Sequence, residues 1–189
     1  MPPAGAFART PGIMPPADLT SLRAAVRDVP DFPKPGIIFK DITPILSDAK
    51  LLRLAVDGYV EVARNFGAEK IAGIDARGFI FGAAAAYQLG LGFVPIRKKG
   101  KLPFRCAEVA YALEYGEAVV EMHVDAVHPG ERVVLVDDLL ATGGTAGAAV
   151  RLIEKFGGQV TGAIFLIELG FLKGRALLGT TPISALLTF

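Results

Sequence analysis

The stretch Val133-Val134-Leu135-Val136-Asp137-Asp138-Leu139-Leu140-Ala141-Thr142-Gly143-Gly144-Thr145 decides how this chain folds and what it can hold. Four apolar residues ask for a buried strand, and the β-branched run Arg132–Asp138 is the strongest strand signal in the sequence. Two carboxylates, Asp137 and Asp138, follow where that strand is expected to leave its sheet. In open α/β sheets, ligands bind beyond the carboxyl ends of the strands. Ala141, Thr142, Gly143, Gly144 and Thr145 then lead into a helix expected over Thr145–Phe156. Glycines at such an entrance let backbone approach an anion, and free N–H groups with the helix dipole favour a phosphate. The hydroxyls of Thr142 and Thr145 add donors. Ionised acids only accept hydrogen bonds, so the pair beside this cradle suits a ribose diol. A carboxylate beneath the sugar would also stabilise positive charge at the anomeric carbon. Acid, acid, then phosphate nest reads as a grip on a sugar 5-phosphate.

Outward from that stretch, strands and helices alternate. Leu19, Leu22, Ala25, Val26 and Val29 recur at helical spacing, with Asp18 or Thr20 as N-cap, until Pro30, Pro33 and Pro35 force an extended segment. A second helix is expected over Ala49–Phe66 and a third over Gly78–Leu89, stopped by Gly90. Strands are expected over Lys70–Asp75, Gly92–Ile96 and Val160–Ile167, with a hairpin around Gly116. The order implies an α/β fold: a mostly parallel sheet with helices on both faces, plus a small hairpin and lid region. Residues 18–189 read as one domain, preceded by a flexible tail over residues 1–17 that is rich in proline.

Bulk properties exclude several classes. The chain has 189 residues, 52% hydrophobic and 21% charged, which suits one soluble domain. A net charge of +1 argues against a general nucleic-acid binder. With the single cysteine Cys106, neither an intrachain disulfide nor a thiolate zinc cluster can form, which suits a reducing, cytoplasmic setting. There is no long uninterrupted apolar run and no signal-peptide pattern, so no membrane association is expected. His123 and His128 are too isolated to suggest a metal pair and read as structural or surface groups, and no dedicated metal cage is visible.

A local basic cluster stands out within the neutral total. Arg97, Lys98, Lys99, Lys101 and Arg105 precede any acid until Glu108, in a loop carrying Gly100 and Pro103. Such cations suit a polyanionic leaving group, under a lid that excludes water. Arg77, after one strand and before a helix, is a second anion-binding candidate. Two nucleotide motifs fail: Gly100-Lys101 is followed by Leu102 and lacks the earlier glycine, and Gly90 and Gly92 have Pro95 where a third glycine belongs.

The Val133–Thr145 stretch closely resembles the phosphoribosyl pyrophosphate motif of the type I phosphoribosyltransferases. Asp31-Phe32-Pro33-Lys34-Pro35-Gly36-Ile37-Ile38-Phe39-Lys40-Asp41-Ile42-Thr43-Pro44 resembles the base-binding segment of the adenine phosphoribosyltransferases. Gly73-Ile74-Asp75-Ala76-Arg77-Gly78-Phe79 and Leu113-Glu114-Tyr115-Gly116 match that family too, in order, from about residue 19 onward.

The resemblance implies that adenine and phosphoribosyl pyrophosphate give AMP and pyrophosphate in purine salvage. It implies that Asp137 and Asp138 hold the ribose hydroxyls, that Ala141–Thr145 wrap the 5-phosphate, and that Arg77, Lys98 and Lys101 contact pyrophosphate. Adenine would sit on Phe39 and read the backbone of Ile38 and Lys40; lysine replaces the arginine often found at position 40, so a planar fork becomes a point charge. Glu114 would move the base's proton, with Tyr115 closing the site. Magnesium, carried mainly by substrate oxygens, and a homodimer are further implications. Two alternatives stay open: another purine phosphoribosyltransferase, acting on guanine, hypoxanthine or xanthine, and a regulator that senses phosphoribosyl pyrophosphate.

Overall fold

The computed structural model of the chain describes residues 16–112 and 116–189. The first helix, α1 (Pro16–Ala25), begins before the two candidate caps, with a proline in its first turn where the missing N–H costs nothing. The proline-rich segment that follows is more ordered than its sequence suggests. β1 (Arg27–Pro30) and β2 (Ile38–Asp41) pair antiparallel as a separate two-stranded sheet. A short α2 (Thr43–Ser47) leads to α3 (Ala49–Asn65), which Asp48 caps by accepting the N–H groups of Lys50 and Leu51 at 2.8 and 3.0 Å. Then come β3 (Lys70–Ile74), α4 (Arg77–Leu89) and β4 (Gly92–Lys98), close to expectation.

The hairpin strands are β5 (Cys106–Ala112) and β6 (Glu117–His123). After them, β7 (Arg132–Leu140) is followed by α5 (Gly144–Glu154), β8 (Gln159–Glu168) and β9 (Ile183–Thr188). Two short 3-10 helices, Gly170–Leu172 and Gly174–Leu178, lie between β8 and β9. The main sheet has seven strands in the order β5-β6-β4-β3-β7-β8-β9. Its β4-β3-β7-β8-β9 portion is parallel, and β6 and β5 add on antiparallel beside β4.

Alternation along β7 divides the core. Val133 and Leu135 face α5, packing with Ala149, Leu152 and Ile153. Val134 and Val136 face the other side, among Tyr59 of α3 and Phe81 of α4, whose rings stack at 5.0 Å. Every residue of β7 from Val133 to Val136 is fully buried because the sheet is covered on both faces. The strand itself runs to Leu140, with Asp137 beside Phe165 and Leu140 beside Glu168. The two acids therefore sit inside the strand's last turn of pleat rather than beyond its end, held in place by ladder pairing.

Among the described residues, no helix is long and apolar enough to cross a membrane.

Candidate functional site

Because β3, β4 and β7 are parallel, their carboxyl ends open on one edge of the sheet. Two neighbouring cavities form there. The larger, about 180 Å³, is lined by the turn Asp75–Arg77, by Arg97 and Lys98 at the end of β4, and by Asp137, Asp138, Tyr111 and Thr145. The smaller, about 90 Å³, is lined by Asp137 and by every residue from Leu139 to Ala146. The two share Asp137, Leu139 and Thr145, so the acids and the cradle face a common space. This is the juxtaposition that a sugar 5-phosphate requires.

The cradle's shape follows from its glycines. Gly143, the N-cap of α5, has φ +84°, a conformation that L side chains rarely adopt. A Cβ there would also collide with the carbonyl oxygen of Gly174. Thr145 donates its hydroxyl to the Tyr111 phenol oxygen at 3.0 Å, fixing one wall of the cradle to β5.

Asp137 and Asp138 are held differently. Asp138 is buried and pairs with Arg77, whose Nε lies 2.5 Å from its carboxylate. Asp137 Oδ1 accepts the N–H of Asp138 at 2.8 Å. Its backbone carbonyl accepts the buried Tyr59 hydroxyl at 2.8 Å. Gly78 packs so closely that a Cβ would sit 2.8 Å from Asp137 Oδ1. Burial, and then the charge of Asp138, push the Asp137 carboxyl well above the usual carboxylate range. A site that raises an acid in this way gains by receiving donors, and a diol is a source of two.

The cations are distributed unevenly. Arg77 and Lys98 line the larger cavity with the acids. Lys101 lines neither cavity. Instead its peptide is fastened from both sides: its N–H donates to buried Glu121 at 2.8 Å and its carbonyl accepts Arg97 Nη1 at 2.9 Å. Arg97 also pairs with Asp75 at 2.9 Å, tying the basic loop to the turn that carries Arg77.

The base-binding candidates reach the cavity through Arg77. Its guanidinium carbon lies 5.8 Å from the Phe39 ring centroid, and Phe32 meets Phe39 edge-on at 5.2 Å. Ile38 is 58% exposed, available at the surface of β2. The Lys40 side chain turns elsewhere, pairing with Asp28 at 2.6 Å and lying 4.5 Å over the Phe189 ring. The Lys40 charge is thus paired within the β1–β2 sheet. Glu114 and Tyr115 lie outside the described residues.

The sequence does not single out Tyr111, Asp75 and Glu121 as site residues, and it marks Arg97 only as one cation of the basic loop. Tyr111 alternates inward along a hairpin strand like any core residue. In the linear order Asp75 is only a near neighbour of Arg77. Nothing in the linear order signals that Glu121 would reach back to Lys101.

The chain is similar to known proteins over most of its length. Residues 60–173 match the model of the phosphoribosyl transferase domain family. The chain is 54% identical to adenine phosphoribosyltransferase of Acidothermus cellulolyticus over 175 residues, covering 92% of this chain and 99% of that one. The solved adenine phosphoribosyltransferase of Thermoanaerobacter pseudethanolicus superposes with a TM-score of 0.88 at 50% identity, covering 90% and 99% of the two chains. The Saccharomyces cerevisiae enzyme, solved with an imino-altritol bisphosphate and adenine, gives a TM-score of 0.86 at 38% identity, covering 90% and 98%. The α/β fold expected from the strand order is therefore of the type I phosphoribosyltransferase kind.

Proposed function

From the premise that this chain belongs to the adenine phosphoribosyltransferases, a branch of the phosphoribosyltransferase family, we propose how its own residues divide the work. The enzyme converts adenine and phosphoribosyl pyrophosphate into AMP and pyrophosphate, a step of purine salvage. The observation that carries the assignment of roles is the shared wall of the two cavities, where Asp137 and Thr145 meet. The amides and hydroxyls of Ala141–Thr145 hold the 5-phosphate. Asp137 and Asp138 accept hydrogen bonds from the ribose hydroxyls and stabilise the oxocarbenium-like carbon as the glycosidic bond changes partner.

At the other end of the cavity, Arg77 and Lys98 take up charge on departing pyrophosphate. Lys101 joins them only if its side chain turns inward from the loop that Glu121 and Arg97 fasten. Adenine rests on Phe39, and its edge is read by peptide groups at Ile38 and Lys40. Glu114 exchanges the proton on the ring nitrogen away from the new bond, and Tyr115 covers the site.

Magnesium fits the donor set. Two carboxylates and the substrate's own phosphate and sugar oxygens are hard ligands, and no group of three His, Cys, Asp or Glu side chains that could hold a metal occurs among the described residues. Asp137 and Asp138 would hold it through substrate, and it would neutralise charge on the pyrophosphate.

A homodimer accounts for the exposed face of α4, where Ile80 is 41% and Tyr87 90% exposed. We assign the enzyme to the cytoplasm from its kinship and its single cysteine.

Supplying adenine, guanine, hypoxanthine and orotate separately, each with magnesium phosphoribosyl pyrophosphate, tests the base assignment. AMP formed from adenine alone, or far ahead of the other nucleotides, is the expected result. Nucleotide from guanine alone overturns it.

A further inference from the structure

The segment after β8 was silent in sequence, yet it presses against the phosphate cradle. Gly174 occupies the space that a Cβ on Gly143 would need, and a Cβ on Gly174 would collide in turn with the carbonyl of Ala141. One helical turn further on, a Cβ on Gly147 of α5 would approach the Leu177 carbonyl oxygen to 2.5 Å. The 3-10 helix Gly174–Leu178 is therefore a strap lying backbone to backbone on the cradle and on the first turns of α5.

One side-chain pair fastens this strap. Arg175 donates from Nε and Nη2 to the two carboxylate oxygens of Glu168, both at 2.6 Å, and from Nη1 to the Ile183 carbonyl at 3.1 Å. Glu168 is buried at the end of β8, in register with Leu140 of β7, immediately before the cradle. A fork-to-fork pair fixes direction as well as distance. Glu168 is buried but the Arg175 side chain is half exposed, and a pair so open to solvent contributes little net stability, so stability alone does not account for this one.

We propose that Glu168 and Arg175 are positioning residues for the 5-phosphate: by locking Gly174 against Ala141 and Gly143, they hold the cradle's amides in the arrangement that a phosphate needs. The proposal rests on the reading of Ala141–Thr145 as the phosphate cradle.

The test compares the native chain with Arg175→Lys, which keeps the charge but loses the fork, and with Glu168→Gln. Inhibition constants for ribose 5-phosphate and for pyrophosphate are measured for each, with the thermal midpoint. The expected result is a rise of about tenfold in the ribose 5-phosphate constant while the pyrophosphate constant stays within about twofold. A lowered midpoint with both constants unchanged overturns the proposal, and so does an equal rise in both.

Thr142→Ala separates this from the underlying reading. If that variant retains native ribose 5-phosphate inhibition, the cradle assignment fails whatever Arg175 does. Should the Glu168 variant not fold, amide exchange of the native chain decides. Ribose 5-phosphate is expected to protect residues 141–145 and 174–178 together, and protection of the cradle alone contradicts the strap.

Discussion

Asp137 and Asp138 are consecutive in one strand and yet carry different burdens. Asp138 is matched by Arg77 at 2.5 Å, whereas the charge on Asp137 is opposed by burial and by its neighbour. Its raised folded pKa means that, as pH climbs from the ordinary aspartate value of 3.8 through the folded value, the native state loses a proton it held more tightly than the unfolded chain. Stability from this group is present at low pH and lost as pH rises. Asp137→Asn should therefore raise the melting temperature at pH 8 more than at pH 4, while weakening phosphoribosyl pyrophosphate binding by roughly tenfold or more. A variant no more stable at pH 8 than the native chain would show that Asp137 is not strained there. Glu114→Gln addresses the other end of the reaction: kcat should fall by roughly 10²–10⁴ with little change in phosphoribosyl pyrophosphate binding. Unchanged turnover would remove the proton-transfer role.

Elements make these residues effective by fixing where they meet. The turn into α5 admits no side chain at position 143, because φ is +84° and Gly174 fills the space. Gly143→Ala is expected to raise the KM for phosphoribosyl pyrophosphate by at least about tenfold, with a smaller effect on adenine. Equal effects on the two substrates would argue for general unfolding.

The β1–β2 sheet has its own fastening. Asp41 accepts from the Thr43 N–H at 2.9 Å and from Arg27, which lower its pKa to about 2. A depressed pKa means that its contribution is present above the unfolded value of 3.8 and lost as pH falls toward 2. Asp41→Asn should thus cost roughly 1 kcal/mol at pH 7, given the exposure of Arg27, and almost nothing at pH 2. A loss of the same size at both pH values would contradict this account. Sequence periodicity located α3, α4, β3, β4 and the hairpin because each buries a regular face. It gave no sign of β1–β2 pairing, since Val29 of β1 continues the helical spacing of Leu19, Leu22, Ala25 and Val26 and reads as part of that helix, which in fact ends at Ala25. It missed β9 and the 3-10 strap too, where Leu186 and Leu187 stand side by side without clear alternation.

At the scale of the molecule, the parallel part of one sheet brings three separate loops to a single edge. The cradle and its acids were legible because they are contiguous, thirteen residues spanning a strand, a turn and a helix entrance. Arg77 and Lys98 were legible as charges without partners in the linear order, and the sheet brings both to the acids. What the sequence could not convey is contact made across the fold. Tyr111 reaches Thr145 from the hairpin, and Glu121 reaches Lys101 from β6. Gly174 supports Gly143 from 31 positions further along the chain.

The central claim is that the β7–α5 junction holds a ribose 5-phosphate, with the diol on Asp137 and Asp138 and the phosphate on Ala141–Thr145. A crystal structure of the chain with AMP tests it most directly. The account predicts phosphate oxygens within about 3 Å of the amides of residues 141–145 and ribose hydroxyls at hydrogen-bonding distance from the two carboxylates. AMP bound with its phosphate among the basic loop residues, and its ribose remote from Asp137 and Asp138, would contradict the account.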